Sequence, residues 1–382
     1  MRALIPFCLC CSLSSQAQDL PARIQSTLDG IVRECGIPGA SLAVRLPDGQ
    51  MLRAASGFAD RERAEPMSPG HCMFSGSIGK TYVAAVALKL VAEGRLGLDD
   101  PVRNHLGAEP WFDRLPNGSR ITVRQLLQHS TGLAEYVESE DLWRRVAAEP
   151  DKVWLPSERL AYVLGRPALF EPGKGFAYAD TNFILLGMLL ERVTGRRFED
   201  LAKSMFIGPL GLNDTILANR RDLPHLPAGY SALPPMFRTP SKVASQGRYC
   251  FNPQLEWTGG GFCSTATDLA RWGALLFGDK VLPAALRNAM VQSSGLPTHL
   301  GNDTAYGLAT MIWNTPSGPL WGHSGFTPGF NALLQHDPSR GITLALLCNS
   351  DTALKGAGRT PHAVAQRLWK VLTAPSPHHP VR

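Results

Sequence analysis

From residues 81 to 91 the chain is almost continuously apolar, with neither Gly nor Pro, and this predicts a largely buried helix of about three turns. An amphipathic spacing over 22–35 predicts an earlier helix, with Pro21 just ahead of it. Strands are expected over 40–46 and 51–57, separated by the turn signal Pro47-Asp48-Gly49. Residues 98–223 read as mostly helical with long loops, the helical patterns falling at 123–128, 140–148, 156–163, 181–193 and 198–205. Periodicity then fails over 223–257, where six prolines punctuate the chain between Pro224 and Pro253, and a long functional loop is expected. Gly259-Gly260-Gly261 leads through Ser264 and Thr265 into a helical pattern at 268–277. Strand patterns return at 308–313, 319–322, 330–336 and 342–349, with a hairpin turn over 337–341 and a last helix over 362–372.

Strands at both ends with helices between them imply an α+β fold. One antiparallel sheet is built from the N- and C-terminal segments with flanking helices, and a mostly helical subdomain is inserted. The expected boundaries are 18–97 and 258–375 for the sheet subdomain and 98–257 for the helical one with its Pro-rich loop. Residues 376–382 are expected to be a disordered tail.

Composition narrows the function classes. At 382 residues and 44% hydrophobic, the chain can bury a large core. The net charge of +6 comes from scattered Lys and Arg, so nucleic acid is not an expected partner. Met1-Arg2 and the apolar run 3–13, with Ser15-Gln16-Ala17 as a small-x-small cleavage site, read as a secretory leader over 1–17. A buried strand is the competing reading. Export would place the protein in the periplasm or outside the cell. The cysteines beyond the leader are Cys35, Cys72, Cys250, Cys263 and Cys348, an odd and widely spaced set. Buried free thiols fit it better than a disulfide framework, with Cys250–Cys263 as the one bridge an oxidising compartment would allow. No later apolar run is long enough to span a bilayer, and no histidine pattern indicates a metal. No cofactor is expected.

The chemistry concentrates in Gly76-Ser77-Ile78-Gly79-Lys80-Thr81. A phosphate-binding loop would need glycine five residues before Gly79, where Phe74 stands. Ser-x-x-Lys at the head of a helix instead places a nucleophile and a proton partner on one face. Lys80 would be a cation at the positive end of a buried helix, disfavoured by desolvation and by the dipole. A second cluster, Tyr178-Ala179-Asp180-Thr181-Asn182, precedes an apolar helix. A third, Gly322-His323-Ser324-Gly325-Phe326, falls between two strand patterns, in what reads as a glycine-rich loop. It approaches the G-x-S-x-G elbow, with Asp351 and His362 in the required order, but the fifth position is Phe326 and strand follows where that fold needs helix.

Ser-x-x-Lys, Tyr-x-Asn and Lys/His-Ser/Thr-Gly in this order resemble the serine β-lactamase-related family, which includes class C β-lactamases, D-alanyl-D-alanine carboxypeptidases, D-aminopeptidases and esterases. Similar flanks run through Glu93-Gly94-Arg95-Leu96, the stretch 121–127 with His129, and Gly260-Gly261, so the resemblance covers roughly residues 25–372. It implies the β-lactamase/transpeptidase-like fold, with Ser77 as acylated nucleophile, Lys80 as its proton partner and Tyr178 as a phenolic acid/base whose pKa the lysine would lower. His323 would be a hydrogen-bonding partner more than a fixed cation. The backbone N–H groups of Ser77 and Phe326 would form an oxyanion hole. Asp180 stands where an asparagine would contact the substrate amide, and with Ser324, Gly325 and Phe326 it is assigned to substrate binding. The implied activity is hydrolysis of esters or D-amino-acid-type amides, the partner being a small-molecule or peptide substrate. The alternatives are a class C-like β-lactamase and a non-catalytic penicillin- or peptidoglycan-binding sensor.

Overall fold

The computed structural model describes residues 19–278, 280–301, 303–354 and 359–374. The leader reading and the tail expected at 376–382 lie outside the described residues.

The main sheet takes strands from both ends of the chain. Its members are β1 (Gly39–Arg45), β2 (Met51–Asp60), β3 (Glu65–Pro66), β4 (Thr304–Tyr306), β5 (Met311–Thr315), β6 (Gly318–Thr327), β7 (Phe330–Asp337) and β8 (Ile342–Cys348). They lie in the order β4-β5-β6-β7-β8-β1-β2-β3, every pairing antiparallel. The first and last segments meet where β1 pairs with β8, Leu42 opposite Leu346. This is the expected α+β architecture. The central strands are buried on both faces because the period-2 alternation serves two cores. Leu42, Val44, Leu344 and Leu346 point to one, where helix α1 (Asp19–Cys35) packs with the C-terminal helix Pro361–Thr373. Ala43, Ala345 and Leu347 point to the other.

That second face is covered by the helix Ala266–Phe277, which packs on β1, β7 and β8, and helices α2 (Lys80–Ala92) and α3 (Asp180–Thr194) belong to the same core. Thr81 and the residues from Tyr82 to Leu88 are all fully buried, as the apolar run requires. No helix of the described residues is long and apolar enough to cross a membrane.

Three expectations need correction. The stretch 223–257 is not structureless: Gly229–Tyr230, Lys242–Ser245 and Arg248–Tyr249 form a small antiparallel sheet. Strands this short carry no readable alternation, and the sheet is anchored by the buried Tyr249 hydroxyl, which donates to Pro328 O at 2.8 Å. His323 does not lie in a loop, because β6 continues through it to Thr327, and the chain reverses only at Pro328-Gly329. The helix expected at 198–205 is α-helical over Phe198–Ala202 and continues as a π-turn over Lys203–Ile207. The described cysteines are all free, Cys250 and Cys263 included.

Candidate active site

Ser77 does not sit on the α-helix itself. Strand Met73–Phe74 pairs with Phe262–Ser264, and Ser75 N–H donates to Phe262 O at 2.9 Å. The chain then makes a 3-10 turn over Gly76–Gly79 and enters α2 at Lys80. Residues three apart eclipse one another in 3-10 geometry, so the Lys80 side chain lies directly over Ser77, with Nζ 2.9 Å from Oγ.

Lys80 is fully buried. Its Nζ donates to Ser77 Oγ and Gly259 O and forms an ion pair with Asp180 Oδ1 at 2.5 Å. The faces of Tyr178 and Phe183 complete its surroundings, with Nζ 4.9 and 5.4 Å from the ring centroids. A buried charge needs such partners, since desolvation alone would expel it.

Asp180 is the first residue of α3, where the helix dipole favours an anion. The structure therefore gives the carboxylate a different place from the one the motif suggested: in the free protein it is the counter-ion of Lys80. Its own N–H donates to Glu135 Oε2, and Glu135 Oε1 accepts Val137 N–H at 3.2 Å. Burial, and next the Asp180 carboxylate, push the Glu135 pKa well above the usual carboxyl value. Glu256 is likewise raised to about 7, by burial and then by Asp180.

Tyr178 reaches the same point from the turn before α3. Its hydroxyl is buried without a formed hydrogen bond, and Ser77 is the hydroxyl placed to supply one. Its acidity runs against expectation. Burial first and Asp180 second raise its pKa well above the ordinary phenol value, so Tyr178 is a neutral phenol in the free site. Burial, with the Asp180 carboxylate behind it, sets the direction opposite to the one expected beside a lysine.

The third cluster arrives on β6. His323 is buried, with Nδ1 2.6 Å from Ser324 O and Nε2 3.0 Å from the Tyr306 hydroxyl. The first contact puts the proton on Nδ1, and Tyr306 then donates to Nε2. Burial, then the Lys80 charge, push the His323 pKa down to about 3, so it is neutral and both ring nitrogens are occupied. Ser324 turns its hydroxyl to Met311 Sδ at 3.4 Å. Gly325 lets the strand press against the nucleophile turn, for a Cβ there would stand 1.8 Å from Ser75 O. Gly76, at φ +51, is the reciprocal contact: a Cβ on it would meet Phe326 N at 2.5 Å. The Phe326 amide thus lies against the backbone at Ser77, while its side chain is 44% exposed.

The structure gathers Ser77, Lys80, Tyr178 and Asp180 tightly and sets His323 behind Tyr178, ring centroids 6.0 Å apart. Sequence reasoning missed Glu135, Glu256 and Tyr306. Glu256 left a signal, as a lone carboxylate between Leu255 and Trp257 just before the triple glycine. Glu135 and Tyr306 left none that spacing could separate from surface residues. Among the described residues no cluster of His, Cys, Asp and Glu is placed to hold a metal ion.

The chain is similar to several known proteins. The penicillin-binding protein 4* of Bacillus subtilis (strain 168) is 25% identical over 306 residues, 77% of this chain and 64% of its own length. Esterase EstB of Burkholderia gladioli is 33% identical over 213 residues, 53% of each chain. The chain therefore spans between about half and two thirds of these curated relatives. The D-amino acid amidase of Ochrobactrum anthropi SV3, solved with L-phenylalanine amide, superposes with a TM-score of 0.77 at 26% identity, over 93% of this chain and 97% of that one. Residues 24–368 match the family described as beta-lactamase, and the chain belongs to that family.

Proposed function

We propose that the protein is a serine acyl hydrolase that forms an acyl-enzyme on Ser77 and acts on small esters or D-amino-acid-type amides. The observation that carries this reading is the Lys80 Nζ–Ser77 Oγ contact of 2.9 Å at the start of a helix that is fully buried from Lys80 to Leu88. A lysine kept there for packing alone would be an expensive choice, since its charge has to be matched on every side.

In this reading Ser77 Oγ attacks the substrate carbonyl carbon and gives its proton to Lys80 Nζ, which passes one of its own to the Asp180 carboxylate beside it. The oxyanion that forms lies between the N–H groups of Ser77 and Phe326, whose close approach Gly76 and Gly325 allow. Tyr178, neutral in the free site, is suited to deliver a proton to the departing alcohol or amine, and the proton held on Asp180 returns through Lys80 to restore it. Water then attacks the ester carbonyl and sends a proton into the same relay, and Ser77 Oγ takes it back as the acid leaves. His323 stands behind Tyr178 and serves the site through Tyr306 and β6.

The substrate class rests on the relatives: one is an esterase and a structural neighbour is a D-amino acid amidase. Side-by-side assays on p-nitrophenyl acetate, D-phenylalanine amide, a D-Ala-D-Ala peptide and a chromogenic cephalosporin test it. Turnover is expected on the first two; a cephalosporin hydrolysed faster than either would move the assignment to a β-lactamase.

A further inference from the structure

His129 belongs to none of the three clusters, yet it is the residue most closely tied to the segment carrying Tyr178. Its carbonyl oxygen accepts Ala177 N–H at 3.0 Å, and its Nδ1 accepts Ala179 N–H at 3.2 Å. Nδ1 also lies 3.2 Å from Asn182 Nδ2. The residues on both sides of Tyr178 are thus bonded to one partner. The His129 ring is tilted 33° against the Tyr178 ring, centroids 4.1 Å apart, and Phe183 and Tyr306 close in at 5.2 Å each. The backbone at His129 takes φ +53, a left-handed conformation uncommon for any residue but glycine.

Because Nδ1 accepts, the ring proton sits on Nε2, and Nε2 is buried with no hydrogen-bond partner among the described residues. Burial, then the Lys80 charge, hold the His129 pKa well below the usual histidine value, so the ring stays neutral. An unpaired buried N–H is a standing cost. Phenylalanine would fill the same volume without it. What phenylalanine lacks is the acceptor at Nδ1, and that acceptor is spent on the Tyr178 segment.

We infer that His129 is a positioning residue for Tyr178: its carbonyl and Nδ1 pin residues 177 and 179 while its ring backs the phenol, so that the hydroxyl is held at Ser77. This rests on the reading of Ser77 as the acylated nucleophile with Tyr178 as proton donor to the leaving group. Nothing in the inference requires His129 to touch substrate.

The test uses the full chain and two substitutions. His129→Phe keeps the ring and removes the acceptor. His129→Asn removes the ring, places an amide oxygen where Nδ1 stood, and tolerates the left-handed backbone. Fluorophosphonate labelling rates and steady-state kcat and KM on p-nitrophenyl acetate are measured beside thermal melting. His129→Phe is expected to lose roughly a hundredfold in kcat with KM little changed, as small misplacements of a reacting group do. His129→Asn is expected to recover most of that loss. Equal rates for wild type and His129→Phe overturn the inference, as does His129→Asn being as slow as His129→Phe. If His129→Phe does not fold, His129→Gln replaces it, since its amide reaches the Nε2 position instead. It is expected to be slow, and a rate equal to that of His129→Asn overturns the inference. A wild type that takes no label refutes the hydrolase reading, a separate failure.

Discussion

Lys80 Nζ and Asp180 Oδ1 lie 2.5 Å apart, an ion pair formed where two helices begin. The positive end of α2 disfavours Lys80, and the positive end of α3 favours Asp180. Asp180 therefore supplies what the lysine needs at a point where the backbone supplies the opposite. Burial first, and the same carboxylate second, keep Tyr178 a neutral phenol and raise Glu135 and Glu256.

Replacing that carboxylate should slow acylation, because Asp180→Asn removes the anion 2.5 Å from Lys80 Nζ. The kcat/KM of Asp180→Asn on p-nitrophenyl acetate is expected to fall by roughly 10²-fold or more, the usual contribution of a positioned proton acceptor. A wild-type kcat/KM in this variant means that Asp180 takes no part in moving the Ser77 proton.

Tyr178→Phe keeps the ring that packs on His129 and removes only the hydroxyl. A fall in kcat of roughly 10²–10⁴ is expected, the usual contribution of a general acid or base. Melting should be close to that of wild type, because the hydroxyl has no formed hydrogen bond to lose. Wild-type kcat in this variant removes Tyr178 from the chemistry.

Glu256 predicts a pH dependence of stability. Burial and Asp180 raise its folded pKa from 4.5 to about 7. A carboxyl raised on folding contributes stability that is fully present below its unfolded value and is lost as pH rises through the folded one. The melting temperature should fall between about pH 4.5 and about pH 7 and level off above that, and Glu256→Gln should flatten the fall. Calorimetry across this range decides, and an equal slope in both proteins assigns the loss to another group.

Gly325→Ala places a methyl group 1.8 Å from Ser75 O, a backbone atom that cannot swing aside. Overpacking of this kind costs about 1–3 kcal/mol. Here it also drives β6 and the Phe326 amide away from Ser77. The variant should melt lower and lose more activity than its stability loss explains when both are compared well below its melting temperature. Full activity would show that the β6 contact is not needed for the reaction.

Ser77 and Lys80 were legible because their chemistry depends on a short spacing, and the helix behind them announces itself by an unbroken apolar run. The sheet was legible for a similar reason: strands buried on both faces, such as Ile342–Cys348, are unmistakably apolar. The charge network was not. Asp180 and Glu135 are 45 residues apart and meet only because the turn after Gly132 lies against the start of α3. Reading Tyr178 beside Lys80 alone gave the wrong direction for its acidity, since burial, which spacing does not reveal, raises its pKa first and the nearby carboxylates raise it further. His323 read as a loop residue because glycines on both sides signalled a turn. In fact they allow β6 to pass close to Leu334 and Ser75.

The central claim is that Ser77 becomes acylated. Intact-protein mass spectrometry after incubation with a fluorophosphonate, followed by peptide mapping, tests it most directly in wild type and Ser77→Ala. The account predicts one adduct on the peptide carrying Ser77 in wild type and none in the variant. An adduct that persists in Ser77→Ala, or a wild type that remains unmodified while a control serine hydrolase is labelled, would contradict it.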